Sequence, residues 1–489
     1  MVRAHEDIAN VSAKTNTSVA SGPLSGRHAQ GQSSFGIRMR LNFMWAGIGR
    51  LLSIVFLFAM HVYLAHKLEA VEYGMYLWLE SATMILSLIV LGGLPTIVLR
   101  MLRSELTLGH VEEASQIVVE AVFVLVGMSC LIPGVVLSVT SIPRLGFIDS
   151  AGLKPWLLWI IGWAVCTAVL RLLSEISRAY EMVGFSHLIG GQRGGFGVNG
   201  AMLCSVVACG TLAVVSLKAM LATQMAVQIL SALFAAILVA WLATGQTPDV
   251  WIKCRFKKMF TMLCCSLPLL VQQLVVFGLP EADTLILASY GSAEEVAFYG
   301  AGRKLVLFAT VPLLLINHAI MPFITDLYTA RNLPQLRSLV RGAATIAALP
   351  GIVWTFILLI APEYVLQTVF GSGFEQAGNA LRVLCAGAAV FVATGSCGLV
   401  LVMTGHERSA MWSSLAIAIL YLLVAPWLIK SYGVTGAAIG AAGLQVCSNV
   451  CSLLQVYFQV GIWTGVTLSK RDLAGFIALF RSSRITRAS

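Results

Sequence analysis

Apolar residues in this chain come in long runs separated by short polar breaks, rather than in the alternation of a half-buried strand or the striping of a surface helix. A helix needs about 20 apolar residues to cross a hydrocarbon layer. Run length predicts twelve such helices, at roughly 41–65, 75–99, 117–139, 155–177, 187–213, 219–243, 260–288, 298–323, 342–362, 378–403, 409–429 and 434–461. The expected fold is an all-α polytopic membrane protein with short connections. Residues 1–40 are polar and rich in Ser, Gly, Ala and Thr; they lack the apolar core and cleavage site of a signal peptide and read as a disordered tail. Residues 464–489 read as a second, basic tail.

Composition agrees with the run lengths. Hydrophobic residues make up 58% of the 489 positions and charged residues 11%, against roughly 25% charged in a soluble domain; mean hydropathy is +0.87. Such a chain is solvated mostly by lipid. The net charge of +10 would suggest nucleic acid in a soluble protein. Here its distribution gives another cause. With the N-terminus cytoplasmic, 21 of the 32 Lys and Arg fall in cytoplasmic segments and five in outer ones. The positive-inside rule then places both termini in the cytoplasm and leaves no nucleic-acid partner to invoke.

Most catalytic chemistry is excluded by what the motifs lack. The eleven cysteines form no CxxC pair and have no His cluster beside them, so they read as small apolar side chains, with no metal and no disulfide framework. There is no GxxxxGK[ST] and no HExxH. A GxGxxG match at Gly195, Gly197 and Gly200 lies inside a predicted span with no strand before it, which suits close helix contact instead. No cofactor and no enzyme activity are expected.

An internal repeat organises the chain. Shifted by 223 residues, Leu64–Tyr76 falls on Leu287–Tyr299 with five identities in thirteen positions. At nearly the same offset Val111 onward faces Leu333 onward, and MVGFSH (182–187) faces MTGHER (403–408). Six spans separate the copies, so the halves 41–243 and 260–463 share one orientation, joined by a basic cytoplasmic linker at 244–259. Parallel six-helix halves around a midplane site are a transporter architecture.

Charges at membrane depth are costly and mark a bundle interior or a wet cavity. Glu281 and Asp283 end one span, and Arg303 and Lys304 begin the next. Arg50, Glu80, Arg193 and Arg382 lie in other spans, and Arg171 and Glu175 share a helix face at i, i+4. Gln273, Pro280 and Asp283 or Thr284 form one polar stripe; Arg303, Thr310 and Asn317 form another. Arg382, Lys304 and Glu281 can reach an interface, and Arg171–Glu175 can be an internal pair. Arg50, Arg193 and Arg303 fit a cationic lumen suited to an anionic headgroup such as a pyrophosphate.

Through residues 64–105, 281–305, 379–387 and 432–440, the chain resembles the polysaccharide flippases of the multidrug/oligosaccharidyl-lipid/polysaccharide exporter superfamily, over about 41–461. The resemblance implies two parallel six-helix repeats forming a V around a cationic central cavity. It implies alternating-access transfer of undecaprenyl-pyrophosphate-linked oligosaccharide across the bacterial inner membrane, for exopolysaccharide, capsule or O-antigen synthesis. A polysaccharide polymerase and chain-length proteins would be partners besides the bilayer. Arg50, Arg193, Arg303 and Arg382 are then the expected substrate-binding residues, and Asp283 and Glu80 the acids coupling to a proton or sodium gradient. The tail beyond 464 is too short for the two further spans of lipid II flippases. Two alternatives stay open. One is a multidrug or small-solute exporter of the same fold. The other is a membrane glycosyltransferase or polymerase, against which the outer loops 140–154 and 363–377 show no acidic pair.

Overall fold

Backbone polar groups in hydrocarbon have no water to bond to, so a spanning chain satisfies them within helices. A computed structural model of the chain describes residues 47–140, 154–191, 194–212, 216–244 and 255–467, with Ser469 and Asp472. These residues form helices and short connections. The tail 1–40, most of the linker 244–259 and most of the tail 464–489 lie outside the described residues.

The first half contains α1 (Gly47–Lys67), α2 (Ala70–Leu91), α3 (Leu94–Leu108), α4 (Val111–Thr140), α5 (Leu157–Ala179), α6 (Val183–Ile189), α7 (Phe196–Leu212) and α8 (Leu217–Thr244). The second contains α9 (Phe256–Gln273), α10 (Leu279–Tyr290), α11 (Ala293–Thr329), α12 (Leu333–Ile360), α13 (Pro362–Phe370), α14 (Gly378–Thr394), α15 (Cys397–Met403) and α16 (Glu407–Val460). Ten helices, with α9 and α10 counted as one, are long and apolar enough to cross a membrane. The 54-residue α16 turns back at Gly433 (φ 55°, ψ −130°) and supplies two spans without a loop. The shorter apolar α7 takes the place of the fifth. The protein is a multi-pass membrane protein, and the described helices fall on the apolar runs of the sequence.

Several spans differ inside from a plain rod. The second breaks at Gly92 and Gly93, both left-handed, where α2 ends and α3 begins. The tenth breaks at Gly395 (φ 70°) between α14 and α15. The seventh carries a π turn at Leu274–Gly278. Its cause is Pro280, which has no N–H to donate to the carbonyl four residues back, so the ladder shifts register just before it.

The repeat is visible in the helix starts. Ala70 and Ala293, 223 residues apart, each open a helix, and so do Val111 and Leu333, 222 apart. Gly109 (φ 78°) and Arg331 (φ 55°) hold matching left-handed positions in the turns before those second helices. Tyr76 and Tyr299 are both fully buried. The two copies also touch. A methyl on Gly74 would overlap the carbonyl of Ala293 and lie 3.2 Å from the amide nitrogen of Ala297, and a methyl on Gly300 would overlap the side chain of Leu77. At the 223-residue offset Gly74 corresponds to Ala297, and Leu77 to Gly300. Like positions meeting like positions is what a two-fold axis between α2 and α11 produces.

Candidate functional site

One turn further along the same face lie Glu80 and Ser81 on α2 and, at the same offset, Arg303 and Lys304 on α11. The duplicated positions therefore carry opposite polarity, and they pair across the axis. Lys304 Nζ donates to Glu80 Oε2 at 3.0 Å and to His61 Nε2 of α1 at 2.7 Å. His61 Nε2 also lies 3.5 Å from Glu80 Oε2, and its Nδ1 faces the Tyr73 hydroxyl at 3.5 Å. Ser81 Oγ donates to Glu281 Oε2 at 2.8 Å. Glu281 also accepts from Arg303 Nη2 at 2.6 Å. His61, Ser81, Glu281 and Lys304 are all buried. These contacts tie the first half to the second with paired charges, which removes most of the penalty for holding them at membrane depth.

The disturbed seventh span presents the partners of Arg303. Its Nη1 donates to the carbonyl of Pro280 and to Thr284 Oγ1, the latter at 3.3 Å. Asp283, 2% exposed, accepts from the hydroxyls of Tyr299 (2.7 Å) and Tyr421. The carboxylate thus joins α10 to α11 and α16 within the second half, while Glu281, two residues earlier, reaches the first.

A cavity of about 790 Å³ lies on the other side of this bridge, between α1, α3, α5 and α6 of the first half and Leu269–Phe277 of the second. Arg50, Arg171, Arg178, Glu175, His187 and Gln273 supply its polar wall. It sits toward the Arg-rich turns of the molecule. A chamber of about 70 Å³ lies deeper in the first half, lined by Tyr76, Glu80, Thr83, Trp163, Arg171 and Gln228 among others. Arg171 borders both spaces.

The residues singled out in the sequence are not gathered at one place. Arg50 lies in the first described turn of α1 and lines the large cavity. Arg193 lies outside the described residues. Arg303 is held by Glu281, and Arg382 pairs with Glu363 at 2.8 Å, half exposed; neither lines either cavity. Glu80 takes part in the bridge and borders the inner chamber, whereas Asp283 is enclosed by tyrosines. Glu175 stands one helical turn from Arg171 and lies 3.0 Å from Arg178, so it shares its charge between the two; neither Arg171 Nη1 nor Glu175 Oε2 makes a hydrogen bond among the described residues. The polar stripe on α11 divides as well: Thr310 bonds back to the carbonyl of Leu307, and Asn317 accepts from Ser396. Sequence reading passed over His61, Ser81 and Tyr421. Counting 223 residues from Arg303 and Lys304 would have pointed to Glu80 and Ser81.

Known proteins share this architecture. A family model described as MatE matches residues 268–427. An inward-facing multidrug resistance transporter of the MATE family, in the MOP superfamily, is similar with TM-score 0.62 and 14% identity, covering 84% of this chain and 94% of that one. An outward-facing transporter described in the same words gives TM-score 0.54 and 13% identity over 87% and 95%. A MOP superfamily transporter from Pyrococcus furiosus, described as having a binding pocket of reverse polarity, gives TM-score 0.50 and 12% identity over 87% and 95%. No curated protein sequence matches significantly. At these identities the likeness establishes the fold of the MATE transporters.

Proposed function

We propose that the chain is a transporter rather than an enzyme, and that it exports a solute by alternating access of its two halves. The observation that carries this reading is the pairing of a cavity with a closure. The halves are held together by Glu80–Lys304 and Ser81–Glu281, while a space of about 790 Å³ between them lies toward the Arg-rich side. The positive-inside rule makes that side cytoplasmic, with both termini there, so the chain loads from inside. The higher TM-score with an inward-facing neighbour supports the same state.

A small organic solute is the reading that the fold neighbours support, two of them being described as multidrug resistance transporters. One observation favours a second reading, lipid-linked oligosaccharide bearing a pyrophosphate and flipped across the bacterial inner membrane, with a polymerase and chain-length proteins as partners. The large cavity is lined by Arg50, Arg171 and Arg178 against a single acid, Glu175. In either case Arg50 meets the solute, with Arg193 as a further contact; Arg382, held by Glu363 outside both cavities, would meet it only in another state of the cycle. Arg303 becomes available only when Glu281 lets go. Glu80 is the acid whose protonation, or exchange for sodium, would loosen the bridge between the halves, and Asp283 the one whose protonation would loosen α10 from α11 and α16 within the second half.

The test is reconstitution of the full chain in liposomes with an imposed proton or sodium gradient. Two cargoes are followed, an organic cation dye and a fluorescent polyprenyl-diphosphate sugar. Gradient-driven movement of one of them, reduced at least tenfold in Glu80→Gln, is expected; movement of neither cargo under either gradient would refute the export reading.

A further inference from the structure

The tenth span breaks where its own sequence does not require it. Residues 392–400 read VATGSCGLV, with no proline, and glycine weakens a helix without ending it. At the offset of 221 that sets MVGFSH on MTGHER, Gly395 falls on Ser174, in the interior of α5, which runs unbroken. A break inside a helix has an identifiable cause, and here it lies outside the span. Gly461 (φ 77°) ends α16 and turns the chain back into the second half. Ile462 joins the apolar cluster of Ile320, Leu336, Val400 and Val456, and Thr464 and Thr467 are buried. A helix that stops leaves its last carbonyls without intrahelical partners, and hydrocarbon offers no water in their place. At the end of α14 the carbonyl of Ala393 accepts from the amide of Val466 at 2.9 Å, and that of Thr394 from Thr464 Oγ1 at 2.9 Å. In an unbroken helix the same two carbonyls accept from the amides of Cys397 and Gly398. The returning segment thus stands in for the missing turn. It is fastened further on, where the amide of Thr467 donates to Thr345 Oγ1 of α12 at 3.1 Å and Asp472 pairs with Arg341 at 3.1 Å.

We infer that Gly461–Thr467 is a strap that holds the tenth span in a broken form, and that the span closes into one continuous helix when the strap withdraws. The two forms satisfy the same carbonyls with different donors. Val466 and Thr464 serve in the strapped form, Cys397 and Gly398 in the continuous one, so exchange between them strands neither carbonyl. Gly395 is suited to both. At φ 70° it holds the left-handed turn of the broken form, and a methyl there would lie 2.6 Å from the carbonyl oxygen of Thr464 and 2.8 Å from Ala344 Cβ. In the continuous form it becomes an ordinary helical residue. Such an element is bistable, and whatever binds or frees the strap biases it. The effect reaches beyond the break. Cys397, Val400 and Leu401 of α15 pack in the cluster shared by α11, α12 and α16, and a continuous span re-aims all three. The strap therefore sets the shape of the second half at the end that carries Arg331 and Arg408. The inference concerns one half and names no cargo, so it stands or falls apart from the export reading.

The experiment is hydrogen–deuterium exchange on the purified full chain in phosphatidylcholine nanodiscs. Uptake is followed in two peptides, one covering residues 396–400 and the other 462–467. Thr464→Val removes the donor to Thr394 and keeps the shape of the side chain. Gly395→Ala disfavours the left-handed turn and presses a methyl on the strap. In both variants the strap peptide is expected to exchange about fivefold faster, the effect of one hydrogen bond on local opening. The 396–400 peptide is expected to exchange about fivefold slower, because the amides of Cys397 and Gly398, which open α15 without intrahelical partners, acquire them. Opposite signs distinguish a switch from simple packing, since a strap that only packs would loosen both peptides when disturbed. Should these variants fail to fold, Arg341→Gln loosens the fastening at Asp472 without touching the break. The same opposed changes are expected there, at about twofold to threefold for a partly exposed pair. Unchanged or faster exchange at 396–400 while the strap peptide speeds up, in any of the three, would overturn the inference, as would a strap peptide in Gly395→Ala that exchanges as in the unaltered chain.

Discussion

The second span of each half is one sequence pattern with two outcomes. In the first half, residues 70–108 form two helices broken at Gly92–Gly93; in the second, Ala293–Thr329 runs as one helix of 37 residues. The positions matching the glycine pair are Leu315 and Ile316, which any helix accepts. The break has a use. Gly93 sits at φ 80°, where a methyl would overlap the carbonyl of Ser266 and lie 2.8 Å from the nitrogen of Leu270. Close approach of α9 to the first half therefore depends on a residue without a side chain. The second half leaves its regular ladder elsewhere, in the π turn before Pro280, and that is where the partners of Arg303 are displayed. Duplication has preserved the helix starts and the buried tyrosines, and the halves have diverged at the interior points where they meet each other.

That contrast can be broken at four points. The largest effect is expected from Lys304→Glu, which sets two carboxylates against each other beside buried His61. Breaking a buried pair costs about 3–5 kcal/mol, read as loss of folded protein on heating in detergent. The double exchange Glu80→Lys with Lys304→Glu should recover much of it, because the pair is restored with its sign reversed. Next is Gly93→Val, at about 3 kcal/mol from a disfavoured backbone and overlap with α9. The matched change Ile316→Val in α11 should cost only about 1 kcal/mol. Equal costs at the two positions would contradict the account of the break. Tyr421→Phe removes one donor to Asp283 and should cost about 1–2 kcal/mol, with faster deuterium exchange in α10. The smallest effect separates the helix starts. Ser292 and Glu295 form a reciprocal cap at the start of α11, whereas Glu69, before α2, makes no side-chain cap. Glu72 already stands where such a cap needs its acid, so Glu69→Ser should stabilise by about 1 kcal/mol and Ser292→Ala should destabilise by a similar amount.

Much of the architecture is legible in the sequence, for physical reasons. Hydrocarbon tolerates few alternatives to a long apolar helix, so run length yields the spans, including the two that meet at Gly433. Five identities in thirteen positions yield the repeat, because helix starts and buried tyrosines are constrained in both copies. Partnerships are another matter. Glu80 and Lys304 lie 224 residues apart, and nothing local joins them. Local spacing was incomplete at Arg171, where i, i+4 geometry brings Glu175 near but does not show that Arg178, at i, i+3 from Glu175, lies 3.0 Å from the same carboxylate. Depth also misled: Arg303 reads as a free cation in the lumen because Glu281 precedes it by a turn and a helix, whereas the two meet across that hairpin. Gly440 packs on Tyr421 as a helix contact, while Gly443 has open space beside it.

The axis between α2 and α11 has a consequence for how such a molecule is assembled. Residues lying on a symmetry axis face their own images, so two identical separate subunits would be bound to place acid against acid or base against base there. Only when both copies belong to one continuous polypeptide can the two sides of the axis be given different letters. Beside the axis Glu80 meets Lys304, while their images Arg303 and Ser81 both bond Glu281 instead; a homodimer repeats every contact on both sides of its axis, so this unequal seam is open to a fused pair and closed to a homodimer.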